Sequence, residues 1–242
     1  MAGTLLLLRP PAQAARLQAA LASLGVASEP FCVLDTVADA DGLAALPALA
    51  RVSHWLVFVS PSAIDIAWPT LADKLPPGVK LAAVGRGSGQ KLQAVSGRGV
   101  LYPDDGNDSD ALLALAPMQQ VAGQRILIVR GHDGRAQLGE TLAARGALPR
   151  HADVYRREPR QPDWARLIAL LRSGGLAGLV VTSSDIADAL FAQASPEQAT
   201  LLRSLPFFTL HPRIALRLRQ HGVANLSLCD GSAGALAAML AS

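Results

Sequence analysis

The sequence predicts two similar α/β domains, each built on a parallel sheet with helices on both faces. Three observations predict it. First, the chain contains itself twice. Residues 5–26, LLLLRPPAQAARLQAALASLGV, lie over residues 126–147, ILIVRGHDGRAQLGETLAARGA, without a gap. Seven of the twenty-two positions are identical, among them Leu6/Leu127, Arg9/Arg130, Leu21/Leu142 and Gly25/Gly146. Second, Leu56-Val57-Phe58-Val59-Ser60 is echoed by Leu179-Val180-Val181-Thr182-Ser183 at nearly the same separation. Third, short apolar runs alternate with segments of helical period along the chain, the pattern of parallel strands joined by helices. A repeat separated by roughly 120 residues has the size of a domain and is too long for a solenoid unit.

The elements follow in order. Thr4 to Arg9 reads as an apolar strand. Pro10 and Pro11 suit a helix's first turn, Ala12 to Leu24 continue at helical period, and Gly25 ends the run. A short extended stretch, Phe31–Leu34, is followed by helix Gly42–Ala50, strand Trp55–Val59 and helix Ser62–Leu75, which Pro69 should end or kink. Strand Lys80–Val84, a helix through Gln90–Val95 and strand Val100–Tyr102 come next. Asp108-Ser109-Asp110 should cap helix Ala111–Ala116. Strand Arg125–Arg130, helix Arg135–Arg145 and extended His151–Arg157 repeat the opening. The last third reads as helix Asp163–Arg172, strand Leu179–Thr182, helix Asp185–Gln193, strand Phe207–Leu210, helix Pro212–His221, strand Asn225–Leu228 and helix Ser232–Leu240. Phe31–Leu34 and Val154–Arg157 occupy equivalent repeat positions. The chain is expected to cross between domains at both. Residues 1–34 and 157–242 would form one discontinuous domain, and residues 35–156 the other.

Composition bounds the function. Half of the 242 residues are hydrophobic and 17% are charged, an ordinary globular balance. No apolar run approaches the roughly 20 residues that span a bilayer. The N-terminus lacks a basic n-region and a long h-region, so no secretory signal is expected. Two cysteines, Cys32 and Cys229, make neither a disulfide framework nor a metal motif. A cytoplasmic monomer, bound to neither membrane nor nucleic acid, is the expectation. Nineteen arginines stand against three lysines. The plain reading is nucleotide bias; the functional alternative is bidentate arginine contacts to carboxylates or phosphates.

Ligands of open parallel sheets bind beyond the carboxyl ends of the strands. The polar residues expected there are Arg9, Ser60, the Gly85-Arg86-Gly87-Ser88 turn, Arg130, Ser183-Ser184, His211 and Asp230-Gly231-Ser232. Most precede a helix, whose free N–H groups and partial positive charge suit an anion. Each serine alone reads as a plain N-cap. The set, spread over both repeats, points to a polyanionic small molecule. The glycine turn lacks the third glycine of a dinucleotide fingerprint. No G-x-S-x-G elbow and no H-E-x-x-H occur. Of five scattered histidines only His211, at a strand end, is kept as a contact. Tyr155 lies on the expected crossover, where its phenol could donate a proton or hydrogen bond; a packing role fits its position equally well.

Ile126-Leu127-Ile128-Val129-Arg130-Gly131, Gly134-Arg135, Leu138, Leu142, Gly146-Ala147 and Val154-Tyr155-Arg156-Arg157 together resemble the central signature of the uroporphyrinogen-III synthases. Val57-Phe58-Val59-Ser60-Pro61-Ser62-Ala63, Ala83-Val84-Gly85 with Ser88, Val180-Val181-Thr182-Ser183-Ser184, Pro212-Arg213 and Gly222-Val223 resemble its other turns, in order. His211-Pro212-Arg213 departs from the family's usual Gly-Pro-Thr. The resemblance implies two flavodoxin-like or Rossmann-like domains joined by a two-stranded connector, with the active site in the cleft between them. It implies closure of hydroxymethylbilane, a linear tetrapyrrole with eight carboxylates, to uroporphyrinogen III with inversion of ring D and loss of water. No cofactor or metal is implied. Tyr155 would assist departure of the hydroxyl; Arg9, Ser60, Ser62, Arg86, Ser88, Arg130, Ser183, Ser184, His211 and Arg213 would hold the substrate. Two other classes stay open: a two-domain protein that binds a polyanion without chemistry, and a nucleotide-dependent enzyme. The missing export signal weighs against the first, and the missing glycine against the second.

Overall fold

The computed structural model describes residues 3–241 other than 107 and 133. The chain separates into two compact units, residues 1–35 with 158–242, and residues 36–157. The discontinuous unit contains β1 (Thr4–Leu7), α1 (Pro11–Ser23), β2 (Ser28–Pro30), α8 (Trp164–Arg172), β9 (Leu176–Val181), α9 (Ser184–Ala192), α10 (Pro196–Ser204), β10 (Phe207–Thr209), α11 (Pro212–Gln220), β11 (Leu226–Leu228) and α12 (Ala233–Ala241). The continuous unit contains α2 (Ala40–Arg51), β4 (Trp55–Phe58), α3 (Pro61–Leu71), β5 (Lys80–Ala83), α4 (Arg86–Ser96), β6 (Val100–Leu101), α5 (Ser109–Ala114), α6 (Ala116–Gln119), β7 (Arg125–Gly131) and α7 (Gln137–Ala144). Strands β3 (Leu34–Ala38) and β8 (Leu148–Pro159) run through the two positions where the chain passes from one unit to the other.

Each unit has its own sheet, ordered β11-β10-β9-β1-β2 in one and β3-β8-β7-β4-β5-β6 in the other. Taken in chain order, the first is the doubly wound arrangement 2-1-3-4-5. The sequence repeat is a repeat of register. Leu6 pairs with Glu29 and Leu179, and Leu127, its repeat partner, pairs with Arg150 and Leu56. Parallel pairs Leu179↔Phe207↔Leu226 have the counterparts Leu56↔Leu81↔Val100. Helix ends repeat as well. Gly25 and Gly146 adopt φ of 74° and 79° after α1 and α7, a left-handed turn that side-chain-bearing residues resist. There Val26 N–H reaches Leu21 O at 2.9 Å, and Ala147 N–H reaches Leu142 O at 3.1 Å.

Both faces of both sheets are buried, as parallel sheets require. Successive residues of β4 alternate: Leu56 and Phe58 pack with Ile64, Leu71 and Val129, while Trp55 and Val57 pack with Leu112, Ile128 and Leu142. In β1, Leu6 joins Val181, Leu190 and Phe207, while Leu5 and Leu7 join Leu21, Phe208 and Leu236.

Three local readings change. Within the extended stretch Phe31–Leu34, only Leu34 belongs to a strand. Pairing with β1 comes earlier, over Ser28–Pro30, and β3 starts at Leu34. Phe31 and Val33 are apolar because they fill the core, Phe31 standing edge-on to Trp164 at 5.9 Å. Pro69 sits inside α3, which ends at Leu71 rather than Leu75. Helix α10, over 196–204, is an additional element. A capping box nucleates it: Ser195 Oγ accepts from Gln198 N–H at 3.3 Å, and Gln198 Oε1 accepts from Ser195 N–H at 2.8 Å.

Thr209 ends β10 fully buried, and its hydroxyl has no hydrogen-bond partner among the described residues. A buried hydroxyl without a partner costs about 1–3 kcal/mol. Thr209→Val keeps the shape and removes that cost. Its melting temperature should rise by about 2–4 °C for each kcal/mol recovered. A lower melting temperature would mean the hydroxyl is satisfied in solution.

Candidate active site

In the continuous unit the chain leaves β4 toward β5 and leaves β7 toward β8, although β4 and β7 are neighbours. Diverging connections open a crevice at the carboxyl ends of such a pair. Ser60 follows β4 there. Extended at φ −158°, it caps α3, its Oγ accepting from Ala63 N–H at 3.1 Å; Pro61 at the next position supplies a helical φ without needing a partner for N–H. The same Oγ lies 3.2 Å from the hydroxyl of Tyr155. Ser60 can accept the phenolic proton or donate its own, which frees the phenol to donate elsewhere.

Tyr155 is 5% exposed, and its ring belongs to the core above β4 and β7. It reaches Ser60 through a register shift. Arg130 pairs with Asp153, but Gly131 pairs with Tyr155, so β8 carries an extra residue. Such a bulge re-aims the side chains that follow it. The ring lies against Gly131: a Cβ there would stand 2.6 Å from Tyr155 Cε2.

The other expected contacts fall into two groups. At the carboxyl ends of the continuous unit's strands, Ser62 lies in the first turn of α3. Arg86 is exposed at the first position of α4, and Ser88, two residues on, is buried. Arg130 is committed within the protein. Its Nε donates to Asp153 Oδ1 at 2.8 Å and its Nη1 to Gly134 O at 2.8 Å, bracing the turn after β7. In the discontinuous unit, β1 and β9 form the equivalent diverging pair. Arg9 follows β1. Burial disfavours its charged form and lowers its pKa, and its guanidinium has no hydrogen-bond or carboxylate partner among the described residues. Ser183 follows β9 and caps α9, accepting from Ile186 N–H at 3.3 Å; Ser184 is the helix's first residue. His211 caps α11 through Nδ1, which accepts from Arg213 N–H at 3.1 Å.

Sequence reasoning missed the residues that surround Tyr155. His132 donates its backbone N–H to Tyr155 O at 3.0 Å, and its Nε2 lies 2.8 Å from Asp39 Oδ2. Asp39 caps α2, accepting from Gly42 N–H at 2.6 Å. The Gly42 N–H, then His132, hold its carboxyl below the usual range. These residues are 93 positions apart in the chain, and no local motif joins them. Gly131 alone had a signal, beside Arg130 in the central motif. Among the described residues no group of three His, Cys, Asp or Glu stands together as metal ligands, and no helix is long and apolar enough to cross a membrane.

These features define a class: a doubly wound α/β protein built twice over, with capped helix N-termini at the ends of both sheets and a serine–tyrosine pair at one divergence. The family model described as uroporphyrinogen-III synthase HemD matches residues 15–231. The uroporphyrinogen-III synthase of Salmonella typhimurium is 34% identical over 241 residues, covering 95% of this chain and 96% of its own. That of Escherichia coli is 36% identical over 128 residues, 53% of this chain and 49% of its own. The chain belongs to the uroporphyrinogen-III synthase family. Solved uroporphyrinogen III synthases share its fold: that of Thermus thermophilus at TM-score 0.62 and 18% identity over 99% of this chain and 98% of its own, and that of Helicobacter pylori at 0.61 and 14% over 98% and 97%.

Proposed function

We propose that this chain closes hydroxymethylbilane to uroporphyrinogen III with inversion of ring D and loss of water, a lyase step of tetrapyrrole and haem biosynthesis. Family membership across residues 15–231 is the observation that carries the reading. The ring A pyrrole nitrogen pushes out the hydroxyl and leaves an azafulvene cation. Tyr155 donates a hydrogen bond or proton to the departing oxygen, which leaves as water. Ser60 supports this role by holding the phenolic oxygen at 3.2 Å. Ring D then attacks through its substituted carbon to form a spiro intermediate. Fragmentation and reclosure invert the ring, and loss of a proton restores the aromatic pyrrole.

The protein's larger contribution is positioning. It holds the chain so that spiro closure outruns the direct closure the free substrate makes. Arg9 is the strongest candidate for a propionate or acetate, because a desolvated guanidinium without a partner gains most from a bidentate carboxylate. The N-termini of α3, α4, α9 and α11, with Ser62, Arg86, Ser88, Ser184 and Arg213, supply further donors. Arg130 acts from behind, through the turn it braces. Strands β3 and β8 serve as the connector of the two units; the bonds Asp39 N–H to Val154 O at 2.9 Å and Arg160 N–H to Val33 O at 3.0 Å fit an antiparallel pair.

The test is direct. Incubated with freshly made hydroxymethylbilane and no added cofactor, the protein should give the type III isomer well above the no-enzyme control. Type I product alone would refute the activity. Loss of activity with a chelator, restored by a metal, would refute the cofactor-free mechanism.

A further inference from the structure

Tyr155 follows a bulge, and a bulge is a weak place to anchor a catalytic side chain. Side chains alternate along a strand, so a slip of one residue turns each to the opposite face. Something has to hold the register at Val154 and Tyr155. Their two carbonyl oxygens are both engaged, from opposite sides of β8. Val154 O accepts from Asp39 N–H, at the end of β3, at 2.9 Å. Tyr155 O accepts from His132 N–H, just beyond β7, at 3.0 Å. The two donor residues then bond to each other over the strand, His132 Nε2 to Asp39 Oδ2 at 2.8 Å. A carboxylate only accepts, so Nε2 carries the proton of that bond.

We propose that the His132–Asp39 bond is a latch across β8, and that both are positioning residues that keep the Tyr155 hydroxyl on Ser60. The inference rests on the catalytic reading of Tyr155. The Asp39 end of the latch is rigid. Its other oxygen caps α2 through Gly42, and the first turn of α2 presses so closely on β8 that a Cβ on Gly42 would stand 1.9 Å from Asp153 O. The His132 end is the movable one, with 45% of its side chain exposed against 19% for Asp39. Exposed pairs of this kind contribute little to global stability. Loss of the latch should therefore appear in turnover rather than in melting.

The experiment is a double-mutant cycle. His132→Ala keeps the backbone donor and removes the ring. It should lower kcat by about three- to thirtyfold, with KM nearly unchanged and a melting temperature within about 2 °C of the parent. His132→Gln, whose amide can reach Asp39, should restore most of the loss. In a Tyr155→Phe background His132→Ala should do nothing further, because a positioning residue has nothing left to position. Full activity in His132→Ala overturns the proposal. So do equal fold-losses in both backgrounds, with Tyr155→Phe itself impaired; that result leaves the reading of Tyr155 standing. Full turnover in Tyr155→Phe alone removes the catalytic reading and the latch with it.

Discussion

Tyr155→Phe should lower turnover by about ten- to a thousandfold while the protein still folds. The substitution removes one oxygen. The ring stays in the core among Leu127, Val129 and Val154, and Ser60 keeps its cap on Ala63. The lost 3.2 Å contact to Ser60 costs about 1 kcal/mol of stability, small against the fall in rate. The range is set by the chemistry, since an electron-rich pyrrole already helps to expel the hydroxyl. Substrate affinity should barely move. Ser183→Ala is the matched control, because Ser183 stands where Ser60 stands in the repeat but has a capping bond and no tyrosine. Loss of that cap should cost about 0.5–2 kcal/mol of stability and weaken binding modestly, with kcat nearly intact. Steady-state kinetics on the three proteins decide it. Unchanged turnover in Tyr155→Phe takes Tyr155 off the catalytic list.

Gly131→Ala should damage the enzyme as severely, by another route. The added carbon would lie 2.6 Å from Cε2 and 2.7 Å from Cζ of Tyr155, a distance that non-bonded carbons do not tolerate. The ring cannot swing away freely, because it is 5% exposed and packed on all sides. Overpacking of this kind costs about 1–3 kcal/mol. Relief by displacement of the ring draws the hydroxyl off Ser60, and a misplacement of about 1 Å is enough for roughly a hundredfold loss in rate. The expected result is a lower melting temperature together with a kcat close to that of Tyr155→Phe. Full turnover in Gly131→Ala would show that the ring position is not critical.

The two substitutions probe what could and could not be read in advance. Tyr155 was visible because it lies in a motif and at a repeat position. Ser60 was visible as a strand-end serine, and its capping role follows from Ser-Pro before an apolar run. Their contact was not visible, since 95 residues separate them. Arg130 shows the reverse case. The repeat aligns it with Arg9, and both looked like ligand contacts. Of the two, only Arg9 lacks a partner among the described residues; Arg130 has Asp153 opposite it on β8 and the carbonyl of Gly134 behind it. Phe31–Leu34 reads as a short extended stretch, and no local signal shows that Phe31 and Val33 fill the core while the strands lie on either side of them.

What the sequence by itself determines here is local and periodic. Strand and helix order, the glycines that stop α1 and α7, the caps of α3, α5, α8 and α9, and the repeat all depend on residues within about one turn of each other, or on internal similarity. Register between strands follows from the repeat as well, because the same apolar alternation has to meet the same two helix layers in both units. The tertiary structure decides the rest. The bulge that aims Tyr155, the Gly131 surface it leans on, and the bond that ties His132 to Asp39 are each made by strands that meet only in the folded sheet. No spacing along the chain encodes them, because the energy of each lies in contacts between residues that folding alone brings together.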